Sequence, residues 1–174
     1  EWVVTLGTLK VLNPGLPLVR DYIAKVVMDV VRRYDIDGVH FDDYFYPYPP
    51  TTITTQDDST FASYNRGIGN KADWRRDNVH LLIKQISDSI RTTKPYVRFG
   101  ISPFGIWKSG NPPEALGTLS AYDDIYCDAV KWLQNQWIDY LAPQVYWAIG
   151  SSTSPSYPRN TDYSLIMPWW ATQM

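Results

Sequence analysis

Hydrophobic and polar positions recur with the spacing of amphipathic helices in two long stretches of the chain. Residues 18–34 and 74–93 both place apolar side chains three and four positions apart, with charged side chains between them. Pro17 suits the first position of the first helix, and Lys94-Pro95 ends the second. The predicted buried faces consist of Val19, Ile23, Val26, Val27, Val30 and Val31 in the first helix, and of Val79, Leu82, Ile83, Ile86 and Ile90 in the second.

Short apolar runs between the helices predict strands. The three clear runs are 38–43, 96–102 and 141–146, and each ends in polar or aromatic residues. Residues 1–11 alternate apolar and polar side chains over part of their length, which is typical of a strand or of one arm of a hairpin. Turn residues at 12–17 separate this segment from the first helix.

The remaining segments carry weaker signals. Shorter helices are expected at 59–65, 128–136 and 162–170. The Pro- and Thr-rich stretch 47–59 is long for a connection between a strand and a helix, and such loops are usually functional or mobile. A loop rich in Ser and Pro is expected at 151–160.

Helices and strands alternate along the chain, which favours a parallel sheet with right-handed crossovers. No Gly-x-Gly-x-x-Gly pattern and no P-loop follows a predicted strand, so a nucleotide-binding fold lacks its main signature. We therefore predict an α/β chain that forms a segment of a (β/α)8 TIM barrel. Because a whole barrel takes about 250 residues and both ends of the sequence fall inside the repeating pattern, residues 1–174 are interpreted as part of a single barrel domain, truncated at both ends. Its unpaired edge strands are expected either to drive oligomerisation or to be covered by the remainder of the barrel.

Composition excludes several classes of function. The formal net charge is −2, from 16 basic and 18 acidic residues, which gives no electrostatic reason to expect binding to nucleic acid or to an anionic membrane. No run of about 18 apolar residues is present, so the sequence predicts no membrane span. Cys127 is the only cysteine, which excludes an internal disulfide, and with only two histidines a His/Cys metal centre is not expected. No cofactor is predicted.

Eight Trp and 13 Tyr residues are the unusual feature of the composition. Many of them follow predicted strands in loops, where the flat faces of aromatic rings suit the C–H groups of sugar rings. The alternative is that these side chains fill a large core. A carbohydrate is therefore the expected partner.

The first predicted strand after the long helix ends in two adjacent acids. Side chains alternate between the two faces of a strand, so Val39 and Phe41 are expected to face the helices, and His40 and Asp42 the interior of the barrel. Adjacent acids are costly to bury unless they bind a partner or serve chemistry. Asp42 and Asp43 are therefore assigned as catalytic and His40 as a substrate contact. The alternatives are that the acids bind backbone N–H groups of a loop and that His40 is a core histidine.

Polar and aromatic side chains that close the predicted strands are interpreted as substrate contacts, through hydrogen bonds to hydroxyl groups or stacking on sugar rings. The alternative is that Tyr146 belongs to the core and Trp147 anchors a loop. The assigned residues are Tyr44, Ser102, Trp107, Gln144, Tyr146 and Trp147, with Asn13 at the rim.

Four other residues with reactive side chains are expected to lie outside the site. Asp57 and Asp58 lie in a Thr-rich loop and are expected to be solvated or to bind a cation. His80 has charged neighbours on its helix and is expected at the surface, and Cys127 is expected to be structural.

Four longer motifs resemble one protein family. Residues 13–23 read NPGLPLVRDYI, residues 34–44 read YDIDGVHFDDY, residues 100–107 read GISPFGIW and residues 139–147 read DYLAPQVYW. Together they are similar to the glycosyl-hydrolase-like family 10 of bacterial envelope proteins, over essentially the whole chain. The resemblance implies a TIM-barrel domain, here roughly from its third strand to its sixth, that acts on a glycan such as peptidoglycan. It also implies a periplasmic, lipid-anchored or secreted location, and earlier strands, one of which carries a Glu.

The second carboxyl that glycoside hydrolysis normally requires is not evident in these motifs. The pattern DG-x-H-x-D at 37–42 is more distantly similar to the fourth strand of α-amylase-type enzymes, whose last Asp is the nucleophile. Those enzymes carry a Glu where Ser102 ends the next strand, and a chitinase-like pattern has a Glu where Tyr44 stands. We therefore expect Asp42 to supply one carboxyl and a Glu outside this segment to supply the other.

Two other functions compete with a glycoside hydrolase. A carbohydrate-binding barrel without catalysis would keep the aromatic rim and have no need of the acids. A metal-dependent hydrolase would need His and Asp ligands at several strand ends, and His40 is the one histidine at such a position.

Overall fold

The computed structural model describes residues 1–116, 119–151 and 161–174, and it has a mixed α/β fold. In chain order, strands β1 to β5 are Val3–Leu6, Leu9–Leu12, Gly38–Phe41, Arg98–Ile101 and Tyr140–Leu141. Helices α1 to α6 are Pro17–Arg33, Asp58–Tyr64, Lys71–Thr93, Ala121–Asp124, Ala129–Gln134 and Tyr163–Ala171. Most of the predicted Ser/Pro loop at 151–160 lies outside the described residues. Within them, no helix has the length and apolar character that crossing a membrane requires.

The strands form two sheets. β1 and β2 pair as an antiparallel hairpin, so the N-terminal segment contains both arms of a hairpin and not the single strand or single arm that the sequence predicts. β3, β4 and β5 form a parallel sheet in that order, with helices in the connections between them. The parallel sheet confirms the predicted α/β class. Its register aligns His40 with Gly100 and Gly100 with Tyr140 in one row across the sheet.

The core lies between the parallel sheet and the long helices. Phe99 and Ile101 of β4 are buried, as is the face of α3 that the sequence predicts, with Val79, Leu82, Ile83, Ile86 and Ile90. α3 begins at Lys71, three residues before the predicted start, because Asn70 caps it by accepting a hydrogen bond from the backbone N–H of Asp73.

Helix α1 differs from the prediction in the face that it buries. Val19 and Val31 are fully buried, but Val26 and Val30 are 49% and 43% exposed. α1 packs against α3. Between Val19 and Val31 it buries the smaller Ala24 and the flexible Met28. The apolar face of α1 is therefore wider than the part of it that the described residues bury.

All three parallel strands are shorter than predicted, and β5 is the extreme case. The sequence predicts a strand over 141–146, but the ladder ends at Leu141. Pro143 follows, and proline has no N–H with which to continue a ladder. Gln144 then rejoins the neighbouring chain through a single parallel bridge to Phe104. This interruption places the Gln144 side chain beyond the ends of the strands.

The loop after β3 is fixed to α3 by a buried ion pair. Arg75 donates from Nε to Asp57 Oδ2 at 2.8 Å and from Nη2 to Oδ1 at 2.7 Å, and Lys71 Nζ lies 2.7 Å from Oδ1. The expectation that Asp57 is solvated is therefore wrong, since its side chain is 1% exposed. Burial alone would raise the pKa of Asp57, but the hydrogen bonds from Arg75 and Lys71 outweigh burial and hold the pKa below its usual value.

His80 is also buried, so the prediction that it lies at the surface is wrong. Its Nδ1 accepts a hydrogen bond of 2.8 Å from Trp132 Nε1. Burial and, to a lesser degree, the positive charge of Lys131 lower the pKa of His80 to about 4. Cys127 is fully buried, as expected of a structural cysteine.

Replacing Asp57 with Asn is expected to lower the free energy of unfolding by about 3–5 kcal/mol, because it leaves the buried guanidinium of Arg75 without a counter-charge. Denaturant titration at pH 7 measures this. The matched control is Asp29→Asn, which breaks the exposed pair with Arg33 on α1 and is expected to cost less than about 1 kcal/mol. Equal effects of the two substitutions would contradict the role assigned to Asp57.

Acidification is expected to destabilise the protein through His80. The unfolded chain binds a proton at this position below about pH 6.5, whereas the folded chain does so only near pH 4. Stability therefore falls as the pH is lowered through this window, by on the order of 3 kcal/mol from His80. In His80→Gln, whose amide oxygen can still accept from Trp132, the decrease between pH 7 and pH 4.5 should be smaller. An equal decrease in both proteins would show that other groups cause it.

Candidate active site

The carboxyl ends of the parallel strands bring polar side chains together at one edge of the sheet. Val39 and Phe41 of β3 pack towards the core, and the Phe41 ring meets that of Phe99 edge to face with centroids 5.3 Å apart. His40 and Asp42 are exposed on the opposite face. This arrangement agrees with the alternation of side chains expected along the strand.

His40 links all three strands of the parallel sheet. Its Nε2 makes a short hydrogen bond with Ser102 Oγ, just beyond β4. Its Nδ1 lies 2.9 Å from the hydroxyl of Tyr140 on β5. The rings of His40 and Tyr140 are stacked, with centroids 5.7 Å apart and planes inclined by 20°. The imidazole is therefore held at both nitrogens and on one face.

Asp42 is held by donors from two segments. Its Oδ1 accepts from Gln144 Nε2 at 2.8 Å and from the backbone N–H of Asp43 at 2.9 Å. Gln144 Nε2 also donates to the carbonyl of Ser102 at 3.0 Å, and Gln144 Oε1 accepts from the hydroxyl of Tyr146 at 3.1 Å. Six of the residues assigned from the sequence thus occupy one hydrogen-bonded cluster: His40, Asp42, Asp43, Ser102, Gln144 and Tyr146.

Asp43 lies deeper than Asp42. β3 ends at Phe41 and the chain turns at Asp43, whose carbonyl accepts from the N–H of Phe45. The alternation of a strand therefore does not extend to Asp43, and its side chain is only 5% exposed. Burial raises the pKa of the Asp43 carboxyl, and the neighbouring charge of Asp42 raises it further, although a hydrogen bond from Gln144 acts in the opposite direction.

Aromatic rings border the cluster. Tyr44 is 73% exposed and its hydroxyl accepts a hydrogen bond of 3.4 Å from Tyr48. The two rings are 5.8 Å apart, and Tyr48 in turn packs against Phe104 edge to face. The hydrogen bond to Tyr44 raises the pKa of Tyr48 to about 12, so the Tyr48 hydroxyl is neutral at physiological pH. These rings and hydroxyls suit a sugar.

A cavity of about 600 Å³ opens beside β3. Its walls come from the hairpin, from α1 and α3, and from the loop after β3. Most lining side chains are apolar, but His40, Asp42, Tyr44, Tyr48 and Thr51 contribute polar groups. Apolar walls with a few convergent polar groups are typical of ligand sites.

Trp107 is assigned as a substrate contact from the sequence, but the structure does not bring it to the cluster. Its Nε1 donates to Asp128 Oδ1 at 3.1 Å, and its ring stacks on that of Trp169 with centroids 5.8 Å apart. Burial raises the pKa of Asp128. Trp107 thus joins α5 and α6 to the segment after β4.

Asn13 and Trp147 also make structural contacts outside the cluster. Asn13 is buried, donates to Thr60 Oγ1 at 2.9 Å and accepts from the backbone N–H of Gly15. Trp147 is half-buried and its ring crosses Gly105, where a Cβ atom would lie 2.7 Å from Cζ3. Both side chains therefore serve packing within the described part of the chain.

Tyr140 and Tyr48 belong to the site, and the sequence reasoning did not assign either of them. A signal for Tyr140 was present in Gly100, since a glycine inside a strand often marks the close approach of another group. No comparable signal existed for Tyr48, because its position depends on the path of the loop.

The described residues contain no group of three or more His, Cys, Asp and Glu side chains placed to hold a metal ion. The chemistry that the cluster can perform with its own groups is proton transfer, hydrogen bonding and stabilisation of positive charge by carboxylates.

Comparison with known proteins identifies the family of the chain. The model of the family described as glycosyl hydrolase-like 10 matches residues 1–166. The chain belongs to this family. The predicted resemblance is therefore confirmed.

Two bacterial relatives have names that begin with the words glycosyl hydrolase. The chain is 41% identical to the glycosyl hydrolase YngK of Bacillus subtilis (strain 168), over all of this chain and 34% of that protein. It is 39% identical to the glycosyl hydrolase DigH of Escherichia coli (strain K12), over 98% of this chain and 38% of that protein. The chain thus spans about a third of the length of these relatives.

Replacing Asp43 with Asn is expected to stabilise the fold at pH 7. A carboxyl whose pKa is raised on folding becomes less favourable as the pH rises from its unfolded pKa through its folded pKa. The substitution removes that cost, so its advantage should be present at pH 7 and absent near pH 3.5. Thermal unfolding at both pH values measures this, with the exposed Asp37→Asn as control. A destabilised variant at pH 7 would show that the Asp43 carboxylate is stabilised in the fold.

Proposed function

We propose that this chain carries part of the active site of a glycoside hydrolase acting on a polysaccharide or a peptidoglycan-type glycan. The observation that carries the proposal is the position of Asp42. Its carboxylate is exposed at the end of β3, is oriented by Gln144 and borders an open cavity that the exposed Tyr44 also lines. Membership of the glycosyl hydrolase-like family supports the same reaction class.

Asp42 has the first of two catalytic roles in this proposal. Cleavage of a glycosidic bond normally uses one carboxyl as acid and a second as nucleophile or base. Asp42 is the exposed carboxylate of the pair, whereas Asp43 is buried behind it with a raised pKa. Asp43 therefore acts through its electrostatic interaction with Asp42. A Glu outside this segment supplies the second carboxyl.

The chain fits the central part of a barrel, about strands 3 or 4 to 6. β3 is an edge of the parallel sheet among the described residues, and the apolar cavity runs along it. A further strand of a (β/α)8 barrel, or a second copy of the chain, would cover this edge. We further propose that the protein acts in the cell envelope, as a periplasmic, lipid-anchored or secreted protein, because membership of its family implies that location.

A carbohydrate-binding function without catalysis is the second candidate. Tyr44 and Tyr146 are 73% and 80% exposed, and such rings bind sugars without any reaction. This candidate gives no role to Asp42 beyond hydrogen bonding.

Replacing Asp42 with Asn tests the proposal, because it removes the negative charge and preserves the shape of the side chain. In the protein as its host produces it, release of reducing ends from peptidoglycan and from soluble polysaccharides should fall about 100-fold or more. Asp29→Asn, on the far exposed face of α1, is the matched control and should retain full activity.

Binding measurements separate the two candidates. Under the hydrolase proposal the Asp42→Asn variant still binds glycan while turnover is lost. If the unmodified protein binds glycan but releases no reducing ends over time, the binding function is correct instead. Unchanged turnover in Asp42→Asn would overturn the catalytic role of Asp42.

A further inference from the structure

His40, Gly100 and Tyr140 form a row across the three parallel strands, and the proposed reaction does not explain the contact between Tyr140 and His40. The parallel register sets these three residues side by side on neighbouring strands. The side chain of Tyr140 crosses β4 at Gly100 and reaches His40, where its hydroxyl lies 2.9 Å from Nδ1. The phenol ring therefore rests directly on the backbone of the middle strand.

Gly100 makes this crossing possible. A Cβ atom at this position would lie 2.0 Å from Tyr140 Cζ and 2.3 Å from both Cε atoms, far inside van der Waals contact. Gly100 is not among the residues with a positive φ, so its backbone conformation does not itself call for glycine. A glycine inside a strand weakens the strand. The structure therefore explains this glycine by the space that the Tyr140 ring occupies.

The two partners of His40 differ as hydrogen-bond donors. A phenol hydroxyl is more acidic than the aliphatic hydroxyl of serine and is therefore the stronger donor. Donation from Tyr140 to Nδ1 requires the ring hydrogen of neutral His40 to be on Nε2. Nε2 then donates to Ser102 Oγ, and the Ser102 hydroxyl hydrogen is not needed for His40.

We propose that Tyr140 is a positioning residue that fixes His40 as its Nε2–H tautomer, so that the hydroxyl of Ser102 donates outward to an oxygen of the bound glycan. The hydrogen bonds then run in one direction, from Tyr140 through His40 to Ser102. Only the identity of the ligand rests on the proposed function. The direction of the hydrogen bonds is a property of the chain alone.

Nitrogen-15 NMR of the protein as its host produces it, labelled at histidine, tests the direction without any substrate. The shifts of the two ring nitrogens report which one carries the hydrogen, and His40→Gln identifies the His40 signals. His80 is an internal reference, because Trp132 donates to its Nδ1 and sets the Nε2–H tautomer independently of Tyr140. Above pH 7.5, His40 is expected to show the same tautomer as His80.

Tyr140→Phe removes the donor and keeps the ring. Loss of one neutral hydrogen bond is expected to change the tautomer ratio of His40 about two- to tenfold towards Nδ1–H, with the His80 signals unchanged. Gly100→Ala should give the same shift by displacing the ring, and combining it with Tyr140→Phe should add little. Tyr34→Phe, at the exposed tyrosine that ends α1, is the control and should change nothing.

Two results would overturn the proposal: an Nδ1–H tautomer in the unmodified protein, or a tautomer ratio that Tyr140→Phe leaves unchanged. If glycan turnover is found, Tyr140→Phe and Ser102→Ala should both lower kcat/KM, and their effects should not add. If no turnover is found, the proposed reaction fails while the NMR result still decides the role of Tyr140.

Discussion

The buried ion pair between Asp57 and Arg75 fixes the loop that carries Tyr44 and Tyr48 beside the candidate site. The segment between β3 and α3 carries Tyr44 and Tyr48, and it has little regular structure of its own before α2. Arg75 holds this segment through Asp57 and through the carbonyl of Thr54, and its Nη1 also donates to Tyr126 at 2.7 Å. Few other positions of this loop are possible, because moving Asp57 away would leave the buried guanidinium of Arg75 without a counter-charge.

The candidate site has a different kind of order, since several of its polar groups are exposed and are held by neighbours from other segments of the chain. Gln144 joins Asp42 to the end of β4, and His40 joins β3 to both other strands. Parallel strands place their carboxyl ends at one edge, so residues that are about 100 positions apart in sequence become adjacent. A rigid sheet thus orients side chains that remain accessible to a ligand.

Several parts of the fold that depend on local periodicity were predictable from the sequence, although the buried face of α1 was predicted only in part. The apolar face of α3 and the alternation of Val39, His40 and Phe41 follow from repeats of 3.6 and 2 residues. Asp57 and His80 were wrongly expected to be exposed, because their burial depends on Arg75 and Trp132, which meet them only in the tertiary structure. Local sequence cannot show that a polar group has a distant partner.

The strand ends were less predictable than the strands. Asp43 does not follow the alternation of the strand, because the chain turns directly after β3. Trp107 lies outside the cluster, because Asp128 and Trp169 hold it elsewhere. The family resemblance was correct over 1–166, but it assigned residues by motif and not by contact. Tyr140 lies within one of those motifs and was still missed, since its role depends on the strand beside it.

Gly100 and Tyr140 share one volume, and this has a consequence for how such sequences can vary. A side chain at position 100 and the phenol of Tyr140 in its present place exclude one another, because the Cβ atom would overlap the ring. Substitutions at the two positions are therefore coupled. A side chain on the middle strand therefore requires either a residue smaller than Tyr140 or a displaced phenol ring, and either change removes the contact between the phenol and His40.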